Sequence, residues 1–222
     1  MRYAIFCLAL VMVGGALSIA QDLSAQTTAA SSASAIKLPA PQISGGMSLN
    51  EALATRRSVR SFQPTSLTHA ELSQLLWAAQ GITDDKGHRT APSAHAQYFL
   101  HIYVADRTGL FEYIPAGHSL QKLSDGDLRE KLSSQPSVKE APVVFLVAGE
   151  YDRAAKMAEK ETAQRLVNLE AGHATENLLL EATALRLAGV PAAGFDPVQA
   201  AKAASLPSGV TPIYLVPVGH AK

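Results

Sequence analysis

The chain has almost no cysteine, few aromatic residues and no surplus of either charge. Its single cysteine, Cys7, lies in the first apolar stretch, so the residues beyond it can form no disulfide, offer no thiolate nucleophile and bind no sulfur-ligated zinc. The 19 Lys and Arg balance 19 Asp and Glu, which leaves no electrostatic footprint for nucleic acid or an anionic membrane surface. The longest apolar run, Ile5 to Leu17, is too short for a comfortable membrane span. No G-x-G-x-x-G, P-loop, H-E-x-x-H or G-x-S-x-G motif occurs, and no repeat of fixed period.

What is present begins with an address. Arg2, the Ile5–Leu17 core and the small residues Ser18-Ile19-Ala20 read as a secretory signal peptide over 1–20. Its removal takes away one base and no acid, and the remaining chain, free of thiols, suits a periplasmic or secreted location. Residues 21–45, rich in Ala, Ser, Thr and Gln, read as a flexible leader. Residues 46–222 are of single-domain size.

Within that domain, Ser48 with Glu51 and Thr68 with Glu71 are capping-box pairs that predict two helices. Between them stands Arg56-Arg57-Ser58-Val59-Arg60. Guanidiniums grip paired phosphate oxygens through a rigid fork, and an extended chain would put Arg56, Ser58 and Arg60 on one side. Arginines at a helix end also offset its dipole, and the residues alone leave both readings open. Strands are predicted at Tyr98–Ala105, Pro142–Ala148 and Pro212–Val218, with a hairpin from Gly109–Ile114 to Ser119–Leu123. A long helical stretch is predicted from Asp152 to Ala188, stopped at Gly189, and a short helix after Asp196-Pro197. The class is α+β.

Glu170, His173 and Glu176 recur on one helix face with the Glu-x-x-His spacing of di-iron bundles, but one such motif does not complete that site. A polar stripe at an interface is the favoured reading, and no metal is expected. Ser58 and Ser93 lack a nucleophile's setting and remain hydrogen-bond donors, and a lone His220 is ordinarily a satisfied surface group. Pro92-Ser93-Ala94 before a strand, and Val190 to Asp196 before a helix cap, would let a ligand approach the backbone or would simply make turns.

In order, these segments are RRSxR-F, LLWAAQGI (75–82), RTAPSA (89–94), APVV (141–144), LEAGHATENLLLEA (169–182), VPAAGFD (190–196) and YLVPVGH (214–220). The set resembles the FMN-dependent nitroreductase superfamily, and more narrowly its SagB-type dehydrogenase branch, from about Ile36 to His220. The resemblance implies an α/β sandwich with a mainly antiparallel sheet flanked by helices, joined in an intertwined homodimer with FMN at each end of the interface. Arg56, Ser58 and Arg60, with Arg57 nearby, would hold the FMN phosphate and the polar flavin edge. Pro92 and Ser93 would reach the flavin of the other subunit's site, and Ala193 and Gly194 would present backbone N–H near flavin N5. No side chain is implied as a general acid, so no catalytic residue is assigned. His95, Gln97 and Phe99 depart from the branch's usual residues, and Lys222 stands where relatives continue into a basic tail.

The expected function is an exported FMN oxidoreductase with ping-pong transfer from NAD(P)H or an envelope redox protein to a nitroaromatic, quinone or similar acceptor. The alternative is a non-catalytic flavin-binding or interaction protein on the same scaffold.

Overall fold

The structure, a computed structural model, describes residues 35–222. The expected signal peptide over 1–20 and the expected leader up to residue 34 lie outside the described residues. In chain order come β1 (Ile36–Lys37), α1 (Leu49–Thr55), α2 (His69–Gln80), β2 (Leu100–Ala105), β3 (Gly109–Ile114) and β4 (Ser119–Asp125). Then follow α3 (Arg129–Leu132), α4 (Pro136–Glu140), β5 (Val143–Glu150), α5 (Tyr151–Ala154), α6 (Lys160–Ala184), β6 (Ala188–Gly189), α7 (Pro197–Ala203) and β7 (Val210–Gly219). The strands form one sheet in the order β1-β4-β3-β2-β5-β7-β6, every pair antiparallel.

The uninterrupted apolar run of β5 follows from its central place, with both faces covered. Val143, Phe145 and Val147 point into a core shared with α2 and α6, while Val144, Leu146 and Ala148 point into a second core shared with α7. Each fully buried residue of this kind contributes about 1.5–3 kcal/mol. The long helix α6 lays Ala163, Val167, Ala171, Ala174 and Leu178 on the first core. It comes so close to the sheet that a Cβ at Gly149 would stand 2.4 Å from Val167 Cγ1, and only glycine fits there.

Several expectations are corrected. Residues 36–42 are not a flexible leader: Ile36 and Lys37 pair with Leu120 and Ser119, Leu38 is buried, and Gln42 exchanges two backbone hydrogen bonds with the Gln74 side chain. The domain thus begins near Ile36. The stretch from 152 to 188 is two helices, broken at 155–159 although Ala-Lys-Met-Ala-Glu are good helix formers. The chain must turn there to carry α6 back over the sheet it has just left. Helix α6 ends at Ala184, and Gly189, expected as its stop, lies in β6. The Thr68–Glu71 box is complete, whereas at Ser48 only the half bond from Glu51 N–H to Ser48 Oγ forms. Pro212 is tolerated in β7 because it stands at a register shift opposite Ala148.

On the second face of the sheet, His101 Nδ1 lies 2.8 Å from Glu112 and Nε2 lies 3.5 Å from Glu150, tying β3, β2 and β5 together. The hydrogen bond to Glu112 raises the His101 pKa, against burial and with help from Glu150. A histidine pKa raised in the folded state adds stability that is whole below the unfolded value near 6.5 and is lost as pH rises through the folded value. The melting-temperature difference between wild type and His101→Gln is therefore expected to be about 2–4 °C at pH 6, on the order of 1 kcal/mol, and to shrink by pH 8.5. A difference that grew with pH would contradict this assignment.

Candidate functional site

Helix α1 ends at Thr55 and is capped by Arg56, whose ψ of 127° releases the chain into an extended course. That segment pairs with β6 in parallel, Ser58 opposite Gly189, and Val59 N–H donates to Gly189 O at 3.1 Å. Its far side is covered by the end of the chain: Gln63 N–H donates to His220 O at 2.8 Å, and Lys222 N–H to Ser61 O at 3.3 Å. Phe62 is buried and Val59 packs half-buried against the second core, while Ser58 and Arg60 are exposed.

The three arginines do different things. Arg57 folds back, its Nη1 donating to Ala54 O at 3.1 Å and Arg56 O at 2.7 Å, which is the helix-end role. Arg56 Nε lies 3.2 Å from Glu176 Oε1 on α6, both side chains part-exposed. Arg60 is exposed, and no hydrogen bond or ion pair engages its guanidinium among the described residues.

Past Gly189 the chain continues along β7, with Ala192 N–H and C=O both bonded to Leu215, at 2.8 and 2.9 Å. Ala193 and Gly194 then leave the sheet, exposed, and no described group accepts from either N–H. Gln135, just ahead of α4, fixes this loop by donating from Nε2 to Gly194 O at 2.8 Å. The Asp196 side chain caps α7 immediately beyond, accepting from the N–H of Val198 and Gln199 at 2.9 and 3.1 Å. A cleft of about 670 Å³ opens beside the loop, lined by Ser133, Ser134, Gly194, Phe195 and Gln199 among others. From Gly189 to Ala193 the chain spans at most about 13 Å, so the arginine segment and the free amides share one edge.

Pro92 and Ser93 are not brought to that edge. Ser93 Oγ donates to Glu170 Oε2 at 2.6 Å and accepts from Tyr98 N–H at 2.8 Å, while Pro92 is exposed. Between them and β2, His95, Ala96 and Tyr98 take left-handed φ values of 52°, 53° and 52°. Such a turn persists only where its surroundings hold it. Arg153 does so, donating to Gln97 O and Tyr98 O at 2.9 and 2.5 Å and lying over the Phe99 ring. Glu170 adds a longer bond from Phe99 N–H at 3.4 Å. Glu170 is 2% exposed, its Oε1 has no partner, and burial raises its pKa against the hydrogen bonds of Ser93 and Phe99.

The helix-face triplet is divided by these contacts. Glu170 turns inward, His173 is exposed and Glu176 faces Arg56; no group of three or more metal-ligating side chains converges among the described residues. His220 lends its carbonyl to Gln63, and its ring lies 3.8 Å from Glu71. Gln135 and the Glu176 contact were not legible in the sequence. The only signal for Gln135 was its place before a helix-opening proline.

The arrangement offers exposed guanidiniums at one point of a sheet edge and free amides a few residues along it, a donor set suited to an elongated anionic ligand with polar ring atoms. Residues 53–220 match the model of the Nitroreductase family. A protein of Methanocaldococcus jannaschii is 35% identical over 182 residues, covering 78% of this chain and 90% of its own. A crystal structure from Ralstonia eutropha JMP134 is 32% identical with a TM-score of 0.80, over 85% of this chain and 90% of that one. Both carry the name "putative nitroreductase". A nitroreductase family protein of Clostridium novyi NT shares the fold at 16% identity and a TM-score of 0.60, over 79% and 86% of the two chains. The sheet, the helices around it and these matches agree, and the chain belongs to the nitroreductase family of oxidoreductases.

Proposed function

We propose that the protein is an exported, homodimeric FMN oxidoreductase that passes electrons from a reduced donor to a small acceptor such as a nitroaromatic or a quinone. The family generally uses flavin. The observation that carries the FMN reading is the shared edge: Arg56, Ser58 and Arg60 stand beside β6, whose continuation presents the unengaged N–H groups of Ala193 and Gly194. The donor set fits FMN, with the arginines and Ser58 on the phosphate and the two amides toward the ring. Bound there, FMN would accept a hydride at N5 and return reducing equivalents to a second substrate.

The chain's own part is to bind, orient and exclude. Gln135 holds the Gly194 carbonyl, which turns the neighbouring N–H groups outward, and a Cβ at Gly194 would meet nothing within 4 Å, so the backbone there is open to a close ring. The Lys222 main chain, bonded to Ser61 O, brings that residue beside the arginine segment. Arg57 is left to its helix. Donor and acceptor using one face in turn would give ping-pong kinetics.

The dimer is supported by the apolar surface left on α1 and α6. Leu49, Leu53 and Leu169 are 64%, 54% and 53% exposed, an apolar area that a second copy would cover. Export rests on the signal-peptide pattern and the thiol-free mature chain; among the described residues no helix is long and apolar enough to cross a membrane. The ordered segments support placement in the SagB-type branch, while an exported chain, with nicotinamide scarce outside the cytoplasm, favours an envelope redox protein as donor and disfavours a peptide azoline as substrate.

The test is the visible spectrum of the purified mature protein with an acceptor panel. A yellow dimer, bleached by dithionite and reoxidised by a nitroaromatic or quinone, is expected. A colourless monomer that cannot be reconstituted with FMN would refute the reading.

A further inference from the structure

The donor cluster contains one group of the wrong sign. Glu176, on α6 like Glu170, puts Oε1 3.2 Å from Arg56 Nε, and both side chains remain in contact with water at 50% and 29% exposure. Such a part-exposed pair is weak, so it can be displaced. Its position matters more than its strength. Arg57 is committed to the end of α1 and Arg60 stands apart, so Arg56 is the guanidinium nearest α6, and a carboxylate already occupies part of its fork. Any phosphate reaching Arg56 must take over that contact and then lie beside a like charge.

Resting on the FMN reading above, we propose that Glu176 is a specificity-determining residue of this site. It competes with the cofactor phosphate for Arg56 and thereby sets how strongly phosphorylated flavin is preferred over riboflavin. The carboxylate holds Arg56 in place when no anion is bound, and it lowers the advantage that a phosphate brings. A glutamine at 176 keeps the shape and a hydrogen-bond acceptor for Arg56 while removing the charge. The change acts on the phosphate alone, so the ring and ribityl contacts are unaffected.

The experiment titrates FMN and riboflavin separately into the purified mature wild type, Glu176→Gln and Arg56→Ala, reading dissociation constants from flavin fluorescence quenching at about 0.1 M salt. Wild type is expected to prefer FMN. Glu176→Gln is expected to tighten FMN roughly tenfold, the scale of one like charge within a few ångströms, with riboflavin changed less than about twofold. Arg56→Ala is expected to weaken FMN about ten- to hundredfold with riboflavin little changed, which narrows the FMN preference by the same factor. Unchanged or weaker FMN binding in Glu176→Gln, or an equal shift for both flavins, would overturn the role of Glu176 while leaving the FMN reading intact. Failure of the wild type to bind either flavin, or an FMN preference left undiminished by Arg56→Ala, would overturn the phosphate assignment of Arg56 and this inference with it.

Discussion

Replacing Arg56 by alanine should weaken FMN binding about ten- to hundredfold and leave the protein folded. A hydrogen bond to a charged group contributes about 1.5–3 kcal/mol, and each 1.4 kcal/mol is tenfold in affinity. The structural cost is small, because the side chain's one partner is the half-exposed Glu176 and its backbone N–H still donates to Ala52 O at 2.9 Å. Melting temperature should fall by no more than about 4 °C. Arg57→Ala is the informative companion, since its guanidinium is folded onto the carbonyls of Ala54 and Arg56 and should change FMN affinity less than about threefold. An Arg57 effect larger than that of Arg56 would show that the phosphate grip lies on the other side of the segment.

The second large effect falls on stability. Glu170→Ala should cost roughly 3 kcal/mol or more, because it removes the acceptor of the Ser93 hydroxyl and of the Phe99 N–H at a site 2% exposed. For a chain of this length that is a fall of about 10 °C in melting temperature. The left-handed turn at 95–98 should loosen first, since Ser93 in turn accepts from Tyr98 N–H. Glu170→Gln keeps an oxygen acceptor and should cost much less. The carboxyl's pKa is raised by burial, so stability declines as pH climbs from the ordinary carboxylate value toward the raised one. The glutamine variant should therefore compare better with wild type at pH 7 than at pH 4.5. Thermal melts at the two pH values check both statements, and equal losses for Ala and Gln would show that the hydrogen bonds are not what Glu170 contributes.

Much of the fold was legible because its signals are local. The Thr68–Glu71 box and the Asp196-Pro197 cap are stereochemical instructions read within four residues, and both helices start where those residues stand. The apolar run at 143–148 announced a strand covered on both faces, and Pro115-Ala116-Gly117 announced the connection between β3 and β4. The weaker forecasts failed where a distant partner decides. Residues 36–42 look like part of a flexible leader until β4 and α2 supply the partners that order them. The break at 155–159 opposes local propensity and is imposed by the need to turn α6 onto the sheet. The short helices α3 and α4 carry no pattern long enough to detect.

For the site, the types of residue and their order along the chain pointed to an anion-binding edge and to a family. The composition by itself excluded thiol chemistry beyond Cys7 and a nucleic-acid footprint. Which arginine is free for a ligand was not decidable from the sequence, because it depends on where the helix lets go and on which carbonyls and carboxylates then stand within reach. Glu170, His173 and Glu176 share a helical spacing, yet one is buried under a serine, one is exposed and one faces Arg56. Spacing sets only the angle around a helix; the partner at that angle comes from chain far away in sequence, and only the packed tertiary structure supplies it.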